Sequence, residues 1–290
     1  MKFKFTKVLP DRLYIKLKYF IKMRRRLNLK NPTRFDEKLN WLKLYDRKPI
    51  YSTMVDKYAA KAYVAEHMGE QYVVPAYGVW DKFEDIDFNC LPDQFVLKST
   101  HDCGGLVICK DKSKLDIESA RKKINKSLKT NYFWSNREWP YKNVKPRVFA
   151  EKYMEDASGG LIDYKFYCSN GKVDCVLVCV ERQTGNPKFY YFDKDWSLKR
   201  YNQDSISAPE GFTLEKPDCI DKMYDLASEF SKGFAFLRVD LYECNGEIYF
   251  GEATFYPDGG IQDTWPVETH NHFGDLVDLS LVKVNKKGKK

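Results

Sequence analysis

Residues 234–260, FAFLRVDLYECNGEIYFGEATFYPDGG, constrain this chain more than any other stretch. Ala235 to Glu243 is largely alternating apolar and polar residues, Asn245-Gly246 is a hairpin turn, and Glu247 to Thr254 is the return strand. Period-two alternation puts Arg238 and Asp240 on one face of the first strand, and Glu252 and Thr254 on one face of the second. Which residues meet depends on the turn. A strict two-residue loop sets Asp240 opposite Gly251, whereas one extra loop residue sets it opposite Glu252. In the second register an arginine, two carboxylates and a hydroxyl converge on one patch. Carboxylates sharing a face repel unless a cation lies between them, and oxygen ligands of this kind suit Mg²⁺. The competing expectation is a solvated hairpin carrying a surface ion pair.

Upstream, Asp11 to Leu27 is expected to be helical, with Leu13, Leu17, Phe20 and Ile21 on one side and Lys16, Lys18, Lys22 and Arg24 to Arg26 around them. Such a helix can lie on an anionic membrane surface, or its apolar stripe can pack on the body and leave the charges solvated. A second helix starts at Asn31-Pro32-Thr33 and runs to Tyr45, and a third spans Thr53 to Met68, stopping at Gly69. Tyr72 to Val79 is strand-like. Phe95 to Lys98 is a short strand ending in lysine, followed by the loop Ser99 to Gly105 and a second strand, Leu106 to Cys109. Backbone N–H groups of such a flap can wrap a phosphate chain, although this is no Walker loop. A helix over 116–129, an aromatic irregular segment over 131–145, a strand from Val148 to Met154, and a hairpin about Asn170-Gly171 come next. Phe189 to Phe192 is a strand, and Pro217 to Lys232 is the helix that leads into the hairpin described first.

Charge is distributed unevenly. Residues 1–30 hold eleven Lys or Arg against the single acid Asp11, and residues 283–290 hold five Lys, so the 252 residues between are negative by seven charges. Basic appendages on a mildly acidic body do not make a nucleic-acid groove. No run approaches a membrane span, and the basic start lacks the apolar core and cleavage site of a signal peptide. The eight cysteines are scattered without a C-x-x-C pair and read as reduced thiols of a cytoplasmic protein.

Taken in order, a DK helix, a strand ending in lysine, a glycine-bearing flap, an E-K-Y-M strand, an acid opening the next strand and R-x-D…E-x-T on a hairpin resemble the ATP-grasp superfamily. The stretches NPTRFDEKLNWLKLYDR, VDKYAAKAYV, LPDQFVLKSTHDCGG, NREWPYK, IDYKFYCSNGKV and VERQTG are similar to the TupA-like group within it, known from gene clusters for cell-surface polysaccharide and teichuronopeptide. The resemblance implies an α+β fold in which two α+β lobes hold ATP between them, plus an N-terminal helical segment. The expected division is 1–92 for the helical region, 93–153 for the flap subdomain, and 154–290 for the C-terminal subdomain with its metal-binding hairpin.

By the same resemblance, Lys57 and Lys98 contact phosphates, and the loop containing Asp102, Gly104 and Gly105 closes over them. Glu151, Lys152 and Met154 hold the adenine edge, and Asp163 takes the ribose hydroxyls. Asp240 and Glu252 bind Mg²⁺, which favours the register that sets them opposite each other. Thr254 stands where relatives carry asparagine as a third metal ligand, and Tyr256 to Gly260 differs from the commoner Pro-Gly ending. Arg238 steadies the transferring phosphoryl group, with Lys98, Lys165 and Arg182 as further basic residues near it. The implied activity is an ADP-forming carboxylate–amine ligase that takes a nucleotide and a small-molecule or saccharide substrate, alongside polysaccharide-assembly enzymes.

Two other readings compete with it. Asp85-Ile86-Asp87 and Asp193-Lys194-Asp195 satisfy the D-x-D pattern of glycosyltransferases or sugar phosphotransferases, and a non-catalytic nucleotide-binding scaffold would keep the fold without the chemistry. His270-x-His272 has no Cys or His partner nearby in sequence and reads as an ordinary loop pair.

Overall fold

The computed structural model describes residues 7–102, 104–155, 161–181 and 184–283. The chain divides into a large compact unit, Met1–Lys48 with Asn136–Trp139 and Ile162–Lys290, and a small one, Pro49–Ser135 with Pro140–Leu161. No described helix is long and apolar enough to cross a membrane.

The large unit opens with α1 (Asp11–Met23) and α2 (Phe35–Tyr45). Helix α1 ends where Arg24 turns left-handed, its N–H donating to the Phe20 carbonyl. The side that packs is not the expected one. Ile15 and Tyr19 are buried with Leu27 and Leu29, whereas Leu13, Leu17, Phe20 and Ile21 are 51%, 48%, 52% and 55% exposed. The packed side wins because it also carries a polar anchor, the Tyr19 hydroxyl donating to Asp36 at 3.0 Å. Helix α2 starts later than Pro32 suggests. The Glu37 carboxylate reaches back to the Thr33 N–H (3.1 Å) and to the N-cap Arg34 N–H (3.5 Å), holding the chain just ahead of the first turn.

In the small unit the expected third helix is two, α3 (Ile50–Val55) and α4 (Ala59–His67). Asp56 separates them. Its backbone is extended, and its carboxylate caps α4 by accepting the N–H groups of Tyr58 and Ala59, each at 3.0 Å. The strands are β1 (Ala76–Trp80), which starts later than predicted, β2 (Phe95–Ser99), β3 (Leu106–Cys109) and β4 (Val148–Lys152), in the antiparallel order β1-β4-β2-β3. Alternation puts Phe95, Leu97, Val148 and Ala150 against Ala120 and Ile124 of α5 (Ile117–Leu128), forming this unit's core. The other face therefore carries Lys98, Phe149 and Glu151.

After the short α6 (Phe133–Asn136) come β5 (Ile162–Ser169), β6 (Lys172–Val180), β7 (Lys188–Phe192), β8 (Leu198–Lys199), α7 (Gln203–Ser207), α8 (Ile220–Phe230), β9 (Leu237–Cys244), β10 (Glu247–Thr254) and α9 (Val267–Leu276). The six strands form one antiparallel sheet ordered β10-β9-β5-β6-β7-β8. One face, with Phe166, Val239 and Leu241, packs on α8, where Tyr224 meets Phe166 edge-on at 5.1 Å. Burying one such aromatic stabilises the fold by about 2 kcal/mol. On the opposite face Tyr167 joins Phe35, Trp265 and Phe273 in an aromatic cluster, and the neighbouring positions are Asp163, Lys165, Arg238 and Asp240. The His270-x-His272 pair lies on α9 rather than in a loop. His270 is buried beside Asp36 and the Gln262 carbonyl, and His272 meets Asp174 and Tyr201.

Candidate active site

The hairpin resolves the register question in a way neither loop length anticipated. Asn245 and Gly246 both have positive φ (55° and 83°), the signature of a strict two-residue turn, and Cys244 pairs with Glu247. That turn would place Gly251 opposite Asp240. Instead Gly251 is the extra residue of a β-bulge, so Phe250 pairs with Leu241 and Glu252 with Asp240. A Cβ at Gly251 would stand 3.1 Å from the Asp240 carbonyl and 2.8 Å from the Tyr242 ring, so any side chain there has to displace that ring and press on the carbonyl.

The bulge brings the predicted side chains together. The Arg238 guanidinium grips Asp240 with two hydrogen bonds (2.7 and 2.8 Å) and reaches Glu252 Oε1 and Thr254 Oγ1, each at 3.1 Å. From β5, paired with β9 on its other side, Lys165 Nζ approaches Asp240 Oδ2 at 2.5 Å and Asp163 Oδ2 at 3.3 Å. Burial alone would lower the pKa of both cations. The surrounding acidic groups together outweigh it, Asp240 foremost, holding Arg238 well above its ordinary value and Lys165 raised. Asp240 and Asp163 are each 1% exposed, whereas the Glu252 side chain is 40% exposed. Two cations thus face three carboxylates, in a gradient from a buried end to an open one.

These residues suit Mg²⁺. Asp240 and Glu252 are register partners that both accept from Arg238, the Thr254 hydroxyl sits 3.1 Å from Glu252, and magnesium asks for only one or two protein carboxylates. Among the described residues no trio of His, Cys, Asp and Glu forms a ready-made metal cage.

In the small unit, Glu151 is buried and its carboxylate takes two lysines, Lys61 at 2.8 Å and Lys98. Burial works to raise its pKa, but Lys98 and Lys61 prevail and hold it below the ordinary range. Lys98 stays part-exposed. Lys61 also donates to the Val74 carbonyl and sits 5.5 Å from the Phe149 ring centre. Its pKa is lowered by burial. At the strand end Lys152 is exposed and Met154 half-buried.

The flap loop is held from inside. Lys57 binds it twice, its N–H to the Thr100 carbonyl (2.9 Å) and its ammonium to the Asp102 carbonyl (2.7 Å). The Asp102 carboxylate accepts the Gly105 N–H at 3.1 Å and lies 2.7 Å from Ser127 Oγ. Gly105 is buried under Ser99 and Ser127, where a Cβ would fall 2.0 Å from Ser99 Oγ, while Gly104 is exposed. Arg182 lies outside the described residues.

Sequence reasoning missed a buried polar cluster in the large unit. Tyr256 to Gly260 carries three successive left-handed residues, Asp258, Gly259 and Gly260. Lys43, fully buried on α2, donates to the Gly259 carbonyl (2.5 Å), the Asn136 carbonyl (3.1 Å) and Asn40 (3.0 Å), and Asn40 holds the Gly260 carbonyl (2.6 Å). Glu138 is buried beside Asn136. Burial, opposed by Lys43, pushes Glu138 up to about 7, and burial, opposed by Glu138, brings Lys43 down to about 8. The usable signal was Asp36, Asn40 and Lys43, three polar residues at helical spacing along the buried side of α2.

One carboxylate of each D-x-D pair closes a turn. Asp87 accepts the Asn89 N–H, and Asp193 accepts the Ser197 N–H, each at 2.9 Å.

A four-stranded antiparallel sheet with a lysine-bearing flap, and a larger sheet whose hairpin bears R-x-D…E-x-T, define an ATP-grasp protein. The family model described as TupA-like ATPgrasp matches residues 37–278, and the chain belongs to that family. No curated protein matches the chain. Among solved structures it is similar to D-alanine–D-alanine ligase from Helicobacter pylori (13% identity, 84% of this chain and 69% of that one, TM-score 0.46). It is also similar to the Bacillus anthracis enzyme complexed with ATP (16%, 79% and 66%, TM-score 0.45). A third is the ATP-grasp ligase PsnB with Mg and ADP (13%, 85% and 66%, TM-score 0.45). The chain spans about two thirds of their length.

Proposed function

We propose that the protein is an ATP- and Mg²⁺-dependent carboxylate–amine ligase working through an acyl phosphate. The observation that carries this is the hairpin patch, where a β-bulge sets Glu252 opposite Asp240 with Arg238 bonded to both. A carboxylate oxygen of the substrate attacks the γ-phosphorus of ATP, the bond to the β-phosphate oxygen breaks, and ADP leaves. An amine then attacks the acyl carbon, the bond to phosphate breaks, and the amine proton passes to solvent. The products are an amide, ADP and phosphate.

In this reading Lys57 and Lys98 serve the phosphates, the Asp102–Gly105 backbone serves closure and the exclusion of water, and Glu151, Lys152 and Met154 serve adenine. The Glu151 carboxylate in addition orients the Lys98 ammonium. Asp163 would take the ribose, Asp240, Glu252 and Thr254 would hold Mg²⁺, and Arg238 with Lys165 and Arg182 would meet the charge on the transferring phosphoryl group. Magnesium, when bound, neutralises phosphate charge. The family resemblance points to an amino acid or amine joined to a uronic acid or acidic peptide of a cell-surface polysaccharide, in the cytoplasm alongside polysaccharide-assembly enzymes.

The test is incubation with Mg-ATP, candidate uronic acids and amino acids. ADP and phosphate released only when both acceptor and amine are present support the proposal. AMP would point to adenylation, and sugar-nucleotide turnover without ATP use would favour a glycosyltransferase.

A further inference from the structure

Helix α1 is held to the large unit by Ile15 and Tyr19, yet it carries a second apolar side. Leu13, Leu17, Phe20 and Ile21 follow i, i+4, i+7 and i+8 spacing, so they form one stripe, and each is about half exposed. A soluble surface does not usually keep four adjacent large apolar side chains in water. Exposed cations surround the stripe: Arg12 and Lys16 on α1 itself, and Arg24 and Arg26 just past its C-terminal end. Asp11, the one acid in residues 1–30, is occupied by Arg137 (3.1 Å) and Arg47 (3.5 Å).

We infer that α1 docks the protein on an anionic lipid surface, with the Leu13–Ile21 stripe at the acyl boundary and the basic rim on the head groups. Charge selects this occupant. A second copy would set one cationic rim against another, whereas an anionic leaflet neutralises every member of the rim while the stripe leaves water. The helix lies parallel to the surface, because thirteen residues rise only about 20 Å and cannot span a bilayer. The docking is independent of the ligase reading, since none of these side chains belongs to the nucleotide site.

Flotation of the full chain with vesicles tests it. Wild type should float with mixed phosphatidylcholine–phosphatidylglycerol vesicles and stay behind with phosphatidylcholine alone, and salt should weaken the binding. The double variant Leu17→Glu, Phe20→Glu should lose flotation with an unchanged thermal midpoint, as both positions are exposed. Lys16→Gln should lower the partition coefficient about five-fold. Absence of wild-type binding to anionic vesicles would overturn the inference, as would undiminished binding by the double glutamate variant. A stable wild-type dimer that the same variant dissociates would also overturn it, by assigning the stripe to a second copy.

Discussion

Asp240 and Glu252 face the same arginine but from different surroundings, and substitutions should separate them. Asp240 is 1% exposed and receives three hydrogen bonds from Arg238 and Lys165. Asp240→Asn therefore strips two buried cations of their main counter-ion, and it should cost about 3 kcal/mol of stability as well as activity. Glu252, more open to water, is the cleaner probe. Glu252→Gln should change unfolding free energy by less than about 1 kcal/mol while ATP turnover falls about 100-fold or more. Turnover within a few-fold of wild type would remove Glu252 from the metal set. Lys98→Met should raise the KM for ATP at least about ten-fold through the loss of a charge-assisted contact, and an unchanged KM would take the flap strand out of the nucleotide site.

At the scale of the element, the hairpin depends on two glycines for different reasons. Gly246 supplies a positive φ at the turn, and alanine there should cost about 1 kcal/mol. Gly251 has an ordinary φ but sits where a Cβ would press on the Asp240 carbonyl. Gly251→Ala should destabilise by about 1–3 kcal/mol and, by opening the bulge, pull Glu252 away from Asp240. Turnover should then drop far more in Gly251→Ala than in Gly246→Ala, measured at a temperature where both variants are folded. Equal losses would show that stability and not register governs the site. Helix α4 illustrates a related point. The DKYAAK pattern reads as continuous helix, but Asp56 spends its carboxylate on a cap and bonds Arg147 at 3.1 Å, so the chain turns and Lys57 meets the flap.

Across the whole molecule, Lys43 and Glu138 bring together residues 95 positions apart in the core of the large unit. Their titration should appear in global stability. With Glu138 raised from 4.5 to about 7, the folded state holds a proton that the unfolded chain has released between those values, so this group's contribution falls as pH rises through that window. Glu138→Gln removes the slope. Its stability relative to wild type, measured by denaturant unfolding at pH 5 and pH 7.5, should improve toward the higher pH, and a difference that stays constant would show that Glu138 titrates normally.

Local chemistry by itself determined a good deal of this protein. Asn-Gly pairs specify two-residue turns through their tolerance of positive φ. Alternation specifies which side chains share a strand face, so Arg238 with Asp240, and Glu252 with Thr254, were legible from spacing. Tertiary structure decided what spacing leaves degenerate. The bulge at Gly251 sets which faces oppose, and the turn residues carry no trace of it. Helix α1 offered two apolar sides, and only the positions of Trp41, Leu44 and Asp36 selected Ile15 and Tyr19 as the buried one. The partners of Glu151, Lys43 and Glu138 were hidden for the same reason. A buried charge is tolerable only beside a counter-charge or a set of carbonyls, and those arrive from segments that sequence separation keeps far apart.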